Sequence, residues 1–171
     1  MTCASDGDFV CTSEHITGLK APRMPDRQLD EWDISHRGLR SLSSPEIKRF
    51  WEGYIAFRKP VEIVHGSLWS RWRRVADDLV LSLYLTNRSV GLFVRGQRGE
   101  GWATTVNRLA SYEPRLGEAL DASLRGYEGC CYLSNFPLPV TDPASWPRGY
   151  EWLEEREEHY HRVLSEAVQA S

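Results

Sequence analysis

The chain has 171 residues, a length typical of a single domain. Hydrophobic residues make up 41% and charged residues 26%, close to the average of soluble globular proteins. The 21 basic and 24 acidic residues give a net charge of −3, which excludes a polycation that binds nucleic acid or anionic membranes over its whole surface.

The sequence shows no targeting or membrane-spanning pattern. Residues 1–15 have neither a cationic start nor an apolar stretch, so they do not form a signal peptide. No apolar run approaches the roughly 20 residues of a membrane-spanning helix. The cysteines at positions 3, 11, 130 and 131 include no Cys-x-x-Cys pair, which argues against a zinc knuckle or a redox pair. We therefore expect a reduced, cytoplasmic protein without membrane contacts.

The near-neutral charge is a cancellation between segments. Residues 1–43 carry 5 basic and 7 acidic residues, residues 44–141 carry 13 and 10, and residues 142–171 carry 3 and 7. Residues 1–43 also contain Pro22 and Pro25 and little periodicity, which predicts an arm that is partly disordered or wrapped on the domain. Residues 44–171 are predicted to form a single domain.

The first predicted helix begins at Ser44-Pro45-Glu46, which combines a hydroxyl cap, an early proline and an acid in the first turn. Its apolar stripe consists of Ile47, Phe50, Trp51 and Tyr54. Pro60 ends it.

Strands follow the first helix. Residues 69–75 are predicted to form one strand. Residues 79–85 alternate at period two, residues 87–89 make a turn, and residues 90–94 run back. This pattern predicts a hairpin with one leucine-rich buried face.

The remaining elements alternate between helix and strand. A helix through Val106 is interrupted at Pro114 and resumes to Leu120. Residues 130–136 read as a strand, and Asp142-Pro143 opens the last helix. The order α-β-β-β-α-β-α predicts an α+β fold, in which a mostly antiparallel sheet of about four strands packs helices on one face.

One pattern matches a metal-dependent nuclease. Pro25-Asp26 followed by Glu46-Ile47-Lys48 has the form PD-(D/E)xK, in which two carboxylates hold Mg²⁺ and a lysine assists the attacking water. That chemistry needs the acid and the lysine on one side of a strand. Here they fall in the first turn of a predicted helix, so an ordinary helix-start acid beside a surface lysine is the competing interpretation.

Metal ligation and nucleophilic catalysis receive little support. Glu155 and His159, like Glu157 and His161, are four residues apart, but the two pairs lie on different helix faces and no third ligand is visible. A solvated helix face accounts for them equally well. No serine stands in a G-x-S-x-G elbow. We therefore assign no catalytic residue, metal or cofactor.

Arginines and tryptophans concentrate between positions 67 and 98. The candidate binding residues there are Trp69, Arg71, Trp72, Arg73, Arg74, Arg88, Arg95 and Arg98. Arginines beside aromatic rings suit phosphate contact and base stacking. The competing interpretation is that arginine is the default cation of this chain, in which only Lys20, Lys48 and Lys59 are lysines, and that sheet edges carry charge to prevent aggregation.

The element order also resembles a small bacterial domain of unknown function. The resemblance rests on Phe50-Trp51 in the first helix, the paired aliphatic strands, the segment EPRLGEAL at 113–120, and Trp146 and Trp152 near the start of the last helix. It covers about residues 44–168. Members of that family are often associated with restriction-endonuclease-like and phage-defence proteins, and the shared motifs are structural rather than catalytic.

These observations predict a non-catalytic accessory or recognition module that contacts nucleic acid or a protein partner. Two alternatives stay open. One is the Mg²⁺-dependent nuclease with Asp26, Glu46 and Lys48. The other is a small-molecule-binding domain with an aromatic pocket formed from Trp51, Trp72, Tyr84 or Trp102.

Overall fold

The computed structural model describes residues 41–127 and 129–169. The predicted arm, residues 1–43, therefore lies almost entirely outside the described residues. Of its last residues, Leu42 is buried, and its backbone N–H donates to Asn87 Oδ1 at 2.9 Å. The chain thus already packs against the domain before the first helix. Within the described ranges, no helix is both long and apolar enough to cross a membrane.

Helix α1 spans Ser44–Phe57. Its N-cap is Ser43, one residue before the predicted cap, and both the backbone N–H and the hydroxyl of Ser43 donate to Glu46 Oε2, at 2.9 and 2.6 Å. A carboxylate at this position satisfies donors that the first turn leaves unpaired. The apolar stripe is buried as predicted, with Phe50, Trp51 and Tyr54 all 0% exposed.

Five antiparallel strands form one sheet in the order β1-β2-β3-β4-β5. They span Val64–Ser67, Ser70–Ala76, Leu79–Leu85, Ser89–Arg95 and Cys131–Pro137. The sequence predicts four of them. β1 is the additional strand, because it is short and its residues do not alternate between apolar and polar.

Two helices separate β4 from β5. Helix α2 spans Trp102–Leu109, a 3₁₀ turn covers Ala110–Tyr112, and helix α3 spans Glu113–Leu120. The predicted interruption at Pro114 is real: Pro114 lies in the first turn of α3, where its missing N–H costs no hydrogen bond.

The last helix, α4, spans Trp146–Gln169 and follows a 3₁₀ turn at Pro143–Ser145. Asp142 caps that turn by accepting a hydrogen bond from the Ala144 N–H at 3.0 Å. The predicted start of the last helix is therefore confirmed to within a few residues.

The helices cover one face of the sheet. The register pairs Leu81 with Val94 and Leu83 with Leu92, and all four side chains are 0% exposed. Helix α4 packs against β2, β3 and β4 through its own apolar side. The predicted α+β class, with helices on one face of an antiparallel sheet, is confirmed.

Candidate functional site

Strand β2 sends its arginines to opposite faces of the sheet. Arg71 and Arg73 point to the helix side and are each 8% exposed, whereas Trp72 and Arg74 alternate to the other side. The predicted cluster is therefore not one surface. The structure separates it into a buried pair, a group on the uncovered face and residues in two turns.

Arg73 belongs to a buried ionic cluster centred on Glu157 of α4, which is 0% exposed. Glu157 Oε1 accepts hydrogen bonds from Arg58 Nη2 at 2.5 Å and Arg73 Nη1 at 3.1 Å, and Oε2 accepts one from the Tyr54 hydroxyl at 2.5 Å. Burial, reinforced by the neighbouring carboxylate, raises the pKa of Tyr54. These contacts join α1, β2 and α4, so Arg73 has a structural role.

Arg71 is also held within the protein. Its Nη1 donates to the backbone carbonyls of Ser67 and Ser70 at 2.9 and 2.8 Å, and its guanidinium carbon lies 5.0 Å from the ring centroid of Trp51. Burial lowers the pKa of Arg71. The guanidinium therefore supports the β1–β2 turn and covers a core tryptophan.

Two predicted residues lie in turns at one end of the sheet. Trp69, in the β1–β2 turn, is 39% exposed, and its carbonyl accepts the backbone N–H of Leu85 at 3.1 Å. Arg88 lies in the β3–β4 turn, and its carbonyl accepts the backbone N–H of Leu138 at 2.7 Å. Neither lies near Arg74 and Arg95, which sit at the opposite strand ends.

The second face of the sheet carries aromatic and arginine side chains. One cross-strand row consists of Val64, Trp72, Ser82 and Phe93. A second consists of Arg74, Val80 and Arg95, and a third of Ser70, Tyr84, Gly91 and Asn135. We call the following residues the aromatic–arginine face: Trp72, Arg74, Tyr84, Phe93, Arg95 and Arg98.

This face is uncovered within the part of the chain that the structure describes. Trp72, Tyr84 and Phe93 do not belong to the hydrophobic core that the helices build against the sheet, nor to the residues packed on that core. All three are half-buried, since they pack against neighbours on the sheet itself. Large rings on an unpacked sheet face are unusual unless they serve an interaction.

Two guanidinium groups gather on the Trp72 indole. The guanidinium carbons of Arg95 and Arg98 lie 4.6 and 5.6 Å from its ring centroid. Arg95 Nε donates to the carbonyl of Gly96 at 3.2 Å. Among the described residues, neither arginine has a carboxylate within 4.0 Å, so their positive charge is not neutralised there.

Arg74 adds a third cation to this end of the face. Its Nη1 lies 3.8 Å from Asp77 Oδ1, and both side chains are largely exposed. An ion pair in that setting is weak because water screens it. Arg74 is therefore available to an anionic ligand.

The rings lie flat against the sheet. A Cβ atom at Gly91 would lie 2.5 Å from the Tyr84 ring, whose hydroxyl donates to Asn135 Oδ1 at 2.9 Å. A Cβ atom at Gly66 would likewise lie 2.6 Å from the Trp72 indole nitrogen. The two glycines therefore create the room in which these rings lie down across neighbouring strands.

Tyr84 is a neutral hydrogen-bond donor at physiological pH. Burial raises the pKa of its hydroxyl to about 12. The ring also lies 6.1 Å from Phe93, centroid to centroid. Tyr84 and Phe93 thus form a continuous aromatic patch beside the arginines.

The nuclease pattern has a structural explanation at Glu46. Its carboxylate caps α1 and is buried at 9% exposure, while Lys48 points to solvent from the same turn. The two side chains therefore do not share the side of a strand that the motif needs. Asp26 lies outside the described residues.

The helical histidine and glutamate pairs are engaged with other groups. His159 Nε2 is 2.8 Å from the carbonyl of Ala119, and Glu157 is bound to arginines. Within residues 41–127 and 129–169, no group of three or more histidine, cysteine or acidic side chains has the placement to hold a metal ion.

The four aromatic residues suggested for a small-molecule pocket lie on two sides of the sheet. Trp51 is 0% exposed in the helix-side core, and Trp102 packs against that core. Trp72 and Tyr84 lie on the aromatic–arginine face. They therefore do not line a common cavity.

Comparison of the chain with protein-family models, with curated proteins and with solved structures finds no match. The resemblance to a defence-associated domain therefore stays a prediction.

Sequence reasoning missed Tyr84 and Phe93 as members of the site. The signal was present in the hairpin, because the alternation that puts the leucines on the core side puts Ser82, Tyr84 and Phe93 on the other. The same rule separates Trp72 and Arg74 from Arg71 and Arg73. Which face the helices cover was the missing information.

Proposed function

We propose that this protein is a non-catalytic recognition module that binds nucleic acid through the aromatic–arginine face. The observation that carries the proposal is the pair of guanidiniums, Arg95 and Arg98, placed over the Trp72 ring without a carboxylate partner among the described residues. Phosphate groups are strong acceptors for guanidinium, and an aromatic support keeps the arginines in position.

The distribution of charge supports the proposal. The outward positions of β2, β3 and β4 include no acidic residue, and Asp78, at the β2–β3 turn, is paired with Arg108 at 3.0 Å. A basic surface on a chain of net charge −3 binds phosphates locally while the rest of the molecule repels them. Such a module makes a few specific contacts instead of coating the nucleic acid.

An accessory role and a cytoplasmic location complete the proposal. The resemblance to a domain associated with restriction-endonuclease-like and phage-defence proteins supports a role beside enzymes that act on nucleic acids. The face supplies guanidinium groups and rings, which bind phosphates and bases. A protein partner, the Mg²⁺-dependent nuclease and the small-molecule pocket receive less support from the geometry.

Salt-dependent binding tests the proposal. Fluorescence anisotropy with labelled mixed-sequence oligonucleotides should show an affinity that falls steeply as salt rises, because bound arginines release counterions from the phosphates. The triple variant Arg74→Ala/Arg95→Ala/Arg98→Ala should bind more weakly. For a single strand, its slope of log affinity against log salt should be smaller by about 2, at roughly 0.7 per phosphate contact.

A matched triple variant controls for total charge. Arg49, Arg115 and Arg162 are exposed on α1, α3 and α4, and their replacement by alanine removes the same charge. That variant should keep most of the wild-type affinity. Equal losses in the two triple variants, or no binding by the wild type at low salt, would overturn the proposal.

A further inference from the structure

We infer that the ligand of the aromatic–arginine face is a single-stranded nucleic acid whose bases turn toward the sheet. The inference rests on the proposed function and specifies its substrate class. It is carried by the flatness of the face and by the position of the rings relative to the arginines.

The face is too broad and flat to enter a duplex groove. Its outward side chains come from β2, β3, β4 and β5, and neighbouring strands are about 4.8 Å apart. The major groove of DNA is about 12 Å wide and admits an α-helix or a two-stranded ribbon. Against a duplex, this face would therefore meet only the outer phosphates.

The rings have a use only when bases are unpaired. Trp72, Tyr84 and Phe93 come from three neighbouring strands and lie flat on the surface. Bases inside a duplex are stacked on each other and do not present their faces. Unpaired bases do, and stacking on aromatic side chains is the common way in which proteins hold single strands.

The arginines and the rings are arranged in sequence along the strands. The row with Arg74 and Arg95 is two residues from the row with Trp72 and Phe93, a distance of about 7 Å. The next row carries Tyr84. A phosphate held at the arginine end would therefore leave the attached base beside the rings.

The test compares single strands with duplexes on the full chain. The probes are a labelled mixed-sequence 12-mer of DNA, the same sequence in RNA, and each of them annealed to its complement. The wild type should bind at least one single strand about tenfold more tightly than both duplexes. The DNA and RNA arms show which sugar is preferred.

Ring variants separate stacking from charge. Phe93→Leu keeps an apolar side chain and should weaken single-strand binding at least fivefold, with duplex binding unchanged. Tyr84→Leu is a second, independent ring deletion with the same expectation. Tyr84→Phe keeps the ring and should stay within about twofold of the wild type. Circular dichroism confirms that each variant is folded.

The outcomes distinguish this inference from the proposed function. Equal affinity for single strands and duplexes, or ring deletions without effect, would overturn the single-strand inference and leave the proposed function standing. Failure of the wild type to bind any of the four probes at low salt would overturn both.

Discussion

The guanidinium carbon of Arg95 on β4 lies 4.6 Å from the ring centroid of Trp72 on β2, so this pair reaches across the intervening strand β3. A cation over an aromatic ring is stabilised by about 0.5–1 kcal/mol at an exposed site. The contact holds the guanidinium in place without neutralising it. The arginine therefore remains a charge for a ligand to meet.

The first prediction concerns Trp72 as the support for both arginines. Trp72→Leu should weaken nucleic-acid binding several-fold although no charge changes, because Arg95 and Arg98 lose the surface that positions them. Anisotropy at low salt measures the effect. Trp69→Leu is the matched control, since Trp69 lies in a turn away from the arginines. Equal effects of the two changes would show that the indole of Trp72 has no special role.

The second prediction concerns the buried carboxylate of Glu157. Glu157→Ala leaves Arg58 and Arg73 buried without their partner, which should reduce the free energy of unfolding by about 3–5 kcal/mol. Urea denaturation measures this change. Glu158→Ala is the control: its side chain is 48% exposed and contacts Arg73 at 2.7 Å, so about 0–1 kcal/mol is expected. Similar losses for both variants would contradict a structural centre at Glu157.

The third prediction concerns the space above Gly91. Gly91→Ala places a methyl group where the Tyr84 ring and the carbonyl of Ser134 lie, at 2.5 and 2.7 Å. Overpacking of this kind should cost about 1–3 kcal/mol of unfolding free energy. In Gly101→Ala the new methyl group meets no atom within 4 Å, so that variant should stay within about 0.5 kcal/mol. A harmless Gly91→Ala would mean that Tyr84 does not lie across β4.

The fourth prediction concerns pH and Glu100. A hydrogen bond from Arg108 Nη2 at 2.8 Å, assisted by the Thr105 hydroxyl, lowers the pKa of Glu100 from its ordinary value near 4.5. A lowered pKa in the folded state stabilises the protein above that ordinary value. The contribution is lost as the pH falls through the folded-state pKa.

Carbon-detected NMR titration checks this assignment. Arg108→Ala should move the pKa of Glu100 upward toward its ordinary value, whereas Arg115→Ala, which removes an exposed arginine elsewhere, should leave it in place. An unchanged Glu100 titration in the Arg108 variant would show that the pair does not form in solution.

Most of the fold follows from local patterns in the sequence. The stripe from Ile47 to Tyr54, the alternating leucines of β3 and the proline at 114 each identify an element with a physical reason. β1 escaped because residues 64–67 contain a histidine, a glycine and a serine, so no apolar alternation marks them. It becomes a strand by pairing with β2, which is a tertiary effect.

The candidate site was only half predictable for the same reason. The density of arginines near positions 71–98 is visible in the sequence. The destination of each one depends on which face of the sheet the helices cover. Arg73 is buried because Glu157, far along the chain on α4, meets it. Arg95 is outward because its register partner Val80 faces away from the helices.

The most direct test of nucleic-acid binding through this face is the indole N–H resonance of Trp72 in a ¹⁵N–¹H NMR titration with a single-stranded oligonucleotide. Trp51, which is buried under Arg71, provides an internal control in the same spectrum. Trp72→Phe and Trp51→Phe variants assign the two resonances. The proposal predicts that the Trp72 resonance shifts progressively to saturation while that of Trp51 stays in place. A Trp72 resonance unchanged while resonances elsewhere shift, or a spectrum unchanged throughout, would contradict it.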